Sequence, residues 1–221
     1  MSTPAPFLFD LDGTLADTLP DIAASTNHVR ALHGLPALAL PAVRACVGDG
    51  ARALLQRALA PALPTGADAA AVALDAAFAA YVAHHQVQCT GHAALYPGVR
   101  PFLADLRDRG HPLGVVTNKP ERFARPLLAH LGLDAWIGVI VGGDTLPQKK
   151  PDPAPLLFAL RALGGGPGRG TMVGDGVQDL RAGKAAGLRT IACLFGYGEP
   201  AHLRAEGADG FWTSFGTPGQ P

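Results

Sequence analysis

An α/β fold is predicted, with a parallel sheet covered by helices on both faces and a helical insertion. Three observations predict it. From Val99 onward, apolar runs of strand length alternate with helical segments at short spacing. Near the start, the apolar run Phe7-Leu8-Phe9 leads directly into Asp10-Leu11-Asp12-Gly13-Thr14. Between them, roughly Thr18 to Gly91, the pattern is helical, and no convincing strand appears between Gly48 and Tyr96. Alternating strands and helices with short connections imply right-handed crossovers and parallel pairing.

The elements follow in order. Phe7–Leu11 reads as a buried strand. Leu19–His33 reads as a helix, because Pro20 and Asp21 suit a first turn and Gly34 closes the segment. Ala51–Leu59 and Ala69–His85 continue the helical pattern, and Val99–Arg109 is a helix stopped by Gly110. Leu113–Thr117 is a strand and Glu121–Leu131 the helix after it. Trp136–Val141, Thr171–Val173 and Thr190–Phe195 are strands, separated by helices over Pro153–Leu163 and Gln178–Ala186.

Composition narrows the function. The chain has 221 residues, with Lys+Arg 18 and Asp+Glu 18, so its formal net charge is zero. An electrostatic nucleic-acid binder should carry a basic excess, so nucleic acid is not expected as a partner. The residues AVILMFWYC make up 48% of the chain, enough for a sizeable core. No run approaches the roughly 18 apolar residues of a membrane span. Met1 to Pro6 carries neither a basic region nor an apolar stretch of signal length. Cys46, Cys89 and Cys193 have no metal-ligand spacing and are odd in number, so buried free thiols are expected. A cytoplasmic monomer or homodimer, away from membranes, is the expectation.

The carboxylates of Asp10 and Asp12 sit where a buried strand runs out, and unpaired buried charges are costly. Such a placement suits a site that holds a cation and does nucleophilic or acid–base chemistry; an Asp-Gly turn is the simpler alternative. In parallel sheets the ligand site lies beyond the carboxyl ends of the strands. Thr117, Asn118, Lys150, Asp175 and Asp179 fall at such ends as well.

Asp10-Leu-Asp-Gly-Thr-Leu15, Val116-Thr-Asn118, Lys150-Pro-Asp-Pro153 and Gly174-Asp-Gly-Val-Gln-Asp179 resemble the four ordered motifs of the haloacid-dehalogenase-like hydrolases. The resemblance covers almost the whole chain. It implies a Rossmann-like core from residues 1–17 and 92–221, and a helical cap from residues 18–91. It implies Mg²⁺ as cofactor, held by the side chains of Asp10 and Asp175 and the backbone carbonyl of Asp12, with Asp179 acting from behind them. Asp10 is the nucleophile that such chemistry needs, and Asp12 the acid and then the base. Thr117, Asn118 and Lys150, with the amides of the Asp12-Gly13 turn, would hold phosphate oxygens. Lys150 is preferred to Lys149 because it directly precedes Pro151. One departure is Gly176, where many relatives carry Ser.

No lysine precedes Lys119. Relatives that cleave phosphonates, and mutase relatives, rely on a cap lysine, so both readings weaken. Asp12 argues against dehalogenation, which needs no proton for its leaving group. In the cap, Val47-Gly-Asp-Gly-Ala-Arg52 places glycine amides near Gly48 and a guanidinium at Arg52 as candidates for a substrate anion. The alternative there is an Asp49 cap with a surface arginine. His84, His85 and His92 read as surface or loop residues. With Gly142-Gly-Asp-Thr145 and Phe195-Gly-Tyr-Gly198, the sequence is similar to the phosphoglycolate phosphatases. The expected substrate is a small-molecule phosphate ester, 2-phosphoglycolate first. N-acetylmuramic acid 6-phosphate or another sugar phosphate, pyrophosphate, or a sensor role without turnover are the alternatives.

Overall fold

The computed structural model describes residues 4–216. They form two compact units, one of residues up to Asp17 and from Ala94 on, the other of Thr18–Ala93.

The first unit is built on eight strands: β1 (Phe7–Phe9), β2 (Ala16–Asp17), β3 (Ala94–Leu95), β4 (Leu113–Val116), β5 (Val139–Val141), β6 (Thr171–Gly174), β7 (Arg189–Cys193) and β8 (Gly210–Trp212). Six form one sheet in the order β5-β4-β1-β6-β7-β8. Every neighbouring pair in it is parallel. β2 and β3 form a separate antiparallel pair, Ala16 opposite Leu95, where the chain leaves for the second unit and returns.

Strand order decides the layers. The chain steps from β1 to β4 to β5 in one direction, and from β5 back to β6, β7 and β8 in the other. Right-handed crossovers of opposite direction place their helices on opposite faces. Thus α5 (Val99–Asp108) and α6 (Glu121–His130) belong to one face. α7 (Ala154–Ala162), α8 (Val177–Ala185) and α9 (Pro200–Glu206) belong to the other. The packing agrees: Leu156 and Leu160 of α7 and Ala182 of α8 share one cluster with Leu8, Val116, Val141 and Met172 from four strands. The reversal of direction falls between β1 and β6, whose connections leave in opposite directions, and there the strand ends open a crevice.

The second unit is helical, with α1 (Leu19–Leu32), α2 (Leu40–Arg44), α3 (Ala51–Ala58) and α4 (Ala67–Gln88). α1 and α4 share a polar seam. Asp21 is fully buried and accepts hydrogen bonds from the His92 amide at 3.0 Å and the His92 ring at 2.9 Å. Gln88 Nε2 donates to the Asp21 carbonyl at 2.8 Å.

Several expectations need correction. Trp136 lies in a single 3₁₀ turn, Asp134–Trp136, rather than at the head of a strand, because the pairing of β5 with β4 begins at Val139. Strand β3 lies between Gly48 and Tyr96, where none was expected; two residues carry no readable alternation. β7 stops at Cys193, short of Phe195. His85 is buried, not superficial: it faces α1, with Nδ1 2.9 Å from Ser25 Oγ and its ring 5.0 Å from Tyr81. Cys89 and Cys193 are buried free thiols, but Cys46 is half-exposed. Among the described residues, no helix is long and apolar enough to cross a membrane.

The Asp21 clasp is a stability element, not only a favourable dipole contact. Asp21→Ala removes the buried acceptor of the His92 amide and ring, and with it those hydrogen bonds. It should cost about 1.5–3 kcal/mol in urea unfolding. A loss below about 0.5 kcal/mol would assign Asp21 the dipole role alone.

Candidate functional site

Pairing of β1 with β6 extends one residue past the strand, as the Asp10 amide donates to the Val173 carbonyl at 2.9 Å. The chain then turns sharply, with Gly13 at φ +84° and its amide bonded to the Ala16 carbonyl at 2.9 Å. Gly13 is required twice over. Its φ favours glycine, and a Cβ there would strike the Asp175 carboxylate. Asp175 follows β6 and is clamped from both sides. Thr14 Oγ1 donates to its Oδ1 at 2.6 Å, and the Tyr197 amide to its Oδ2 at 2.7 Å.

Lys150 stands between two carboxylates. Its Nζ is 3.0 Å from Asp10 Oδ1 and 2.6 Å from Asp179 Oδ1, and it donates to the Val116 carbonyl at 2.6 Å. Lys149 is exposed, as the sequence pattern led us to expect. The Asn118 amide grips the Lys150 backbone in both directions, donating to its carbonyl at 3.0 Å and accepting from its amide at 3.1 Å. Asn118 therefore fixes the loop that delivers Lys150. Thr117 is buried beside it, and its Oγ1 accepts the Lys119 amide at 3.2 Å. Asp179 sits in the first turn of α8, where its Oδ2 accepts the Gly176 amide at 2.9 Å. A Cβ on Gly176 would meet the Gln178 side-chain amide, so Gln178 fills the space a serine would need.

A second buried lysine completes the group. Lys119 Nζ lies 3.1 Å and 3.2 Å from the two oxygens of Asp12. The sequence reading missed this residue. Its signal was its place directly after Thr117-Asn118, obscured because it also precedes Pro120 at a helix start. Thr14 and Tyr197 were missed as partners of Asp175, since hydrogen bonds of that range leave no local pattern.

Gly48 and Arg52 lie in the helical unit. Gly48 has φ +130° and precedes α3. Gly50, not Asp49, is the cap residue of that helix. Asp49 instead pairs with Arg57, and Arg52 pairs with Asp75 of α4, both at exposed positions.

Burial and charge make the core cluster a candidate cation site. Asp10, Asp175 and Asp179 each offer a carboxylate oxygen within 4.8 Å of the others, and all three are buried. Asp10 Oδ1 and Asp179 Oδ1 lie near Lys150 Nζ yet receive no well-directed hydrogen bond. Burial pushes Asp10 up to about 6, helped by the charges of Asp179 and Asp12 and opposed by Lys150. Burial also pushes Asp175 up to about 8, with Asp10 and Asp179 adding to the rise and Thr14 and the Tyr197 amide opposing it. Lys150 is driven the other way by burial, but the charges of Asp10 and Asp179 prevail and hold it above its usual value. An all-oxygen donor set with this charge fits a hard divalent cation such as Mg²⁺.

The family model described as haloacid dehalogenase-like hydrolase matches residues 7–193. The chain belongs to that family. Within it, a phosphoglycolate phosphatase of Pseudomonas putida is 43% identical over 202 residues, covering 90% of this chain and 72% of that protein. A phosphoglycolate phosphatase of Chromobacterium violaceum is 41% identical over 198 residues, covering 90% and 88%. Among solved structures, a predicted phosphoglycolate phosphatase from Haemophilus somnus superposes with a TM-score of 0.85 at 31% identity, over 97% of this chain and 96% of that one. CbbY from Rhodobacter sphaeroides, solved in complex with phosphate, superposes at 0.79 with 27% identity, over 96% and 95%. As a member of this hydrolase family, the chain carries Asp10, Asp12, Lys150 and Asp175 together at one edge of its sheet.

Raised carboxyl values in the folded state have a definite sign. The native protein binds more protons than the unfolded chain between the ordinary Asp value and about 8 at Asp175. Stability of the metal-free protein therefore falls as pH rises through that window. Asp175→Asn removes the titration, so its stability advantage over the wild type should grow between pH 5 and 8, by roughly 1 kcal/mol per pH unit. Urea unfolding in chelator-treated buffer reads it, and a pH-independent difference would contradict the raised titration of Asp175.

Proposed function

We propose that the protein is a Mg²⁺-dependent phosphomonoester hydrolase acting on 2-phosphoglycolate through an aspartyl-phosphate on Asp10. The observation that carries this reading is Lys150. It sits against Asp10 and Asp179 while Asp175 closes the same cluster, so a nucleophile, a fixed cation and a divalent-cation site share one crevice. The names of the relatives favour the substrate.

Asp10 attacks phosphorus with a carboxylate oxygen, forming the acyl phosphate and breaking the bond to the substrate alkoxide. Asp12 gives that alkoxide a proton. A water then attacks phosphorus, Asp12 takes the water's proton, and the acyl-phosphate bond breaks to release inorganic phosphate and Asp10. A bound Mg²⁺ would be held by Asp10, Asp175 and the Asp12 carbonyl, with Asp179 adjoining, and would offset phosphate charge. Lys150 and Thr117 hold phosphate oxygens in the transition state. Asn118 acts by fixing Lys150. The helical unit would act as the cap, its closure excluding bulk water; Arg52 in it is paired with Asp75. A soluble cytoplasmic setting fits this chemistry.

Wild-type protein with Mg²⁺ should release phosphate from 2-phosphoglycolate with a higher kcat/KM than from sugar phosphates. Asp10→Asn should lower turnover by about 10⁴ or more, as loss of a covalent nucleophile does. A folded Asn variant with a tenth of wild-type activity would exclude Asp10 as the attacking group.

A further inference from the structure

Lys119 is the one buried cation in this crevice that the proposed reaction leaves without a task. Its backbone is pinned twice, as its amide donates to Thr117 Oγ1 at 3.2 Å and its carbonyl accepts the Gly143 amide at 2.9 Å. Its side chain is 5% exposed, and its ion pair is with Asp12. Lys150 differs, since two carboxylates and the Val116 carbonyl already share its ammonium. A buried ion pair is weak as a stabilising device, because desolvation consumes most of the attraction. An apolar side chain of the same length would serve stability as well, so stability alone does not call for a lysine at 119.

Charge and reach point to an anion from the substrate. Asp10, Asp12, Asp175 and Asp179 face two ammonium groups, Lys119 and Lys150. With one divalent cation the sum is zero before substrate enters, so a second anionic group on the substrate must be met by a donor already in the crevice, and Lys119 is such a donor. To protonate the leaving oxygen, Asp12 must stand about 2.6–3.2 Å from it. In 2-phosphoglycolate the carboxylate is one methylene away from that oxygen. With bonds of about 1.5 Å, its oxygens lie about 3–4 Å from the leaving atom. Lys119 Nζ touches both oxygens of Asp12, so it borders the same small volume. An ammonium has three donors, enough for Asp12 and a substrate carboxylate together.

We propose that Lys119 is the residue that recognises the substrate carboxylate, making the core, rather than the lysine-free segment before it, the reader of the second anion. The proposal rests on 2-phosphoglycolate being a substrate. It restricts the site to short phosphate esters with an anion one carbon from the ester oxygen. Sugar phosphates place a neutral hydroxyl or ring atom there.

The test compares kcat/KM for 2-phosphoglycolate with kcat/KM for 2-hydroxyethyl phosphate, which has the same length but no carboxylate. The ratio cancels any general damage to the site. Lys119→Met should reduce the ratio by ten- to a hundredfold, the usual worth of a charged hydrogen bond. Lys119→Arg should keep a ratio well above that of the Met variant. Should Lys119→Met fail to fold, Lys119→Gln reads the same ratio. An unchanged ratio with both rates lowered would make Lys119 a positioning residue for Asp12 and overturn the proposal, as would an unchanged ratio with unchanged rates. A wild-type enzyme that turns over both esters without preference would overturn the substrate reading itself, and this inference with it. Wild-type preference combined with an unaltered ratio in the variants would overturn this inference alone.

Discussion

Four carboxylates and two ammonium groups are packed at the carboxyl ends of β1, β4 and β6, with almost no water-facing surface among them. Asp10, Asp175 and Asp179 are buried, as are Lys119 and Lys150. Unpaired, such a group is costly, and the two lysines leave it short of positive charge. Much of the local architecture makes this concentration possible. Parallel pairing on both sides of β1 brings its end level with those of β4 and β6. Glycines 13, 196 and 198 let backbone approach Asp175 where any side chain would collide. The Asn118 clasp and the Lys119 backbone bonds hold the two cations in place.

Such a cluster is a poor stability element and a good chemical one. Burial, with mutual repulsion added to it, raises Asp10 and Asp175, so the metal-free protein holds protons where a cation can sit. In the proposed reaction the same crowding sets the nucleophile Asp10 against Lys150 and the proton carrier Asp12 against Lys119. The helical unit has a different character. Its polar seam, in which buried Asp21 meets Gln88 and His92, contributes to its own stability, and its charged pairs at Arg52 and Arg57 are exposed.

The parallel sheet was legible, and so was the placing of Asp10, Thr117 and Asp175, because each of the three follows directly on a strand. Phe7-Leu8-Phe9 before Asp10, and Thr171–Gly174 before Asp175, are short apolar runs with one abrupt polar change. What stayed hidden had no such local contrast. β3 and β8 are two and three residues long and owe their pairing to partners distant in the chain. Lys119 stands before Pro120 at the start of α6, and only tertiary structure carries it to Asp12. His85 belongs to a His-His pair that reads as polar, yet α4 turns it inward against Ser25. Asn118 was expected on the phosphate; its amide is occupied by the Lys150 backbone, a contact spanning 32 residues.

The charge shortage is tested most directly by titrating Mg²⁺ into metal-free protein calorimetrically at pH 7, in buffers of different ionisation enthalpy. A cation entering a cluster whose carboxyls lie near 8 and near 6 must displace bound protons, about one per ion at this pH. The observed enthalpy should therefore vary linearly with the buffer's ionisation enthalpy, with a slope of about one proton released. Binding with an enthalpy independent of buffer would contradict the picture of a protonated, charge-crowded cluster at the end of the sheet.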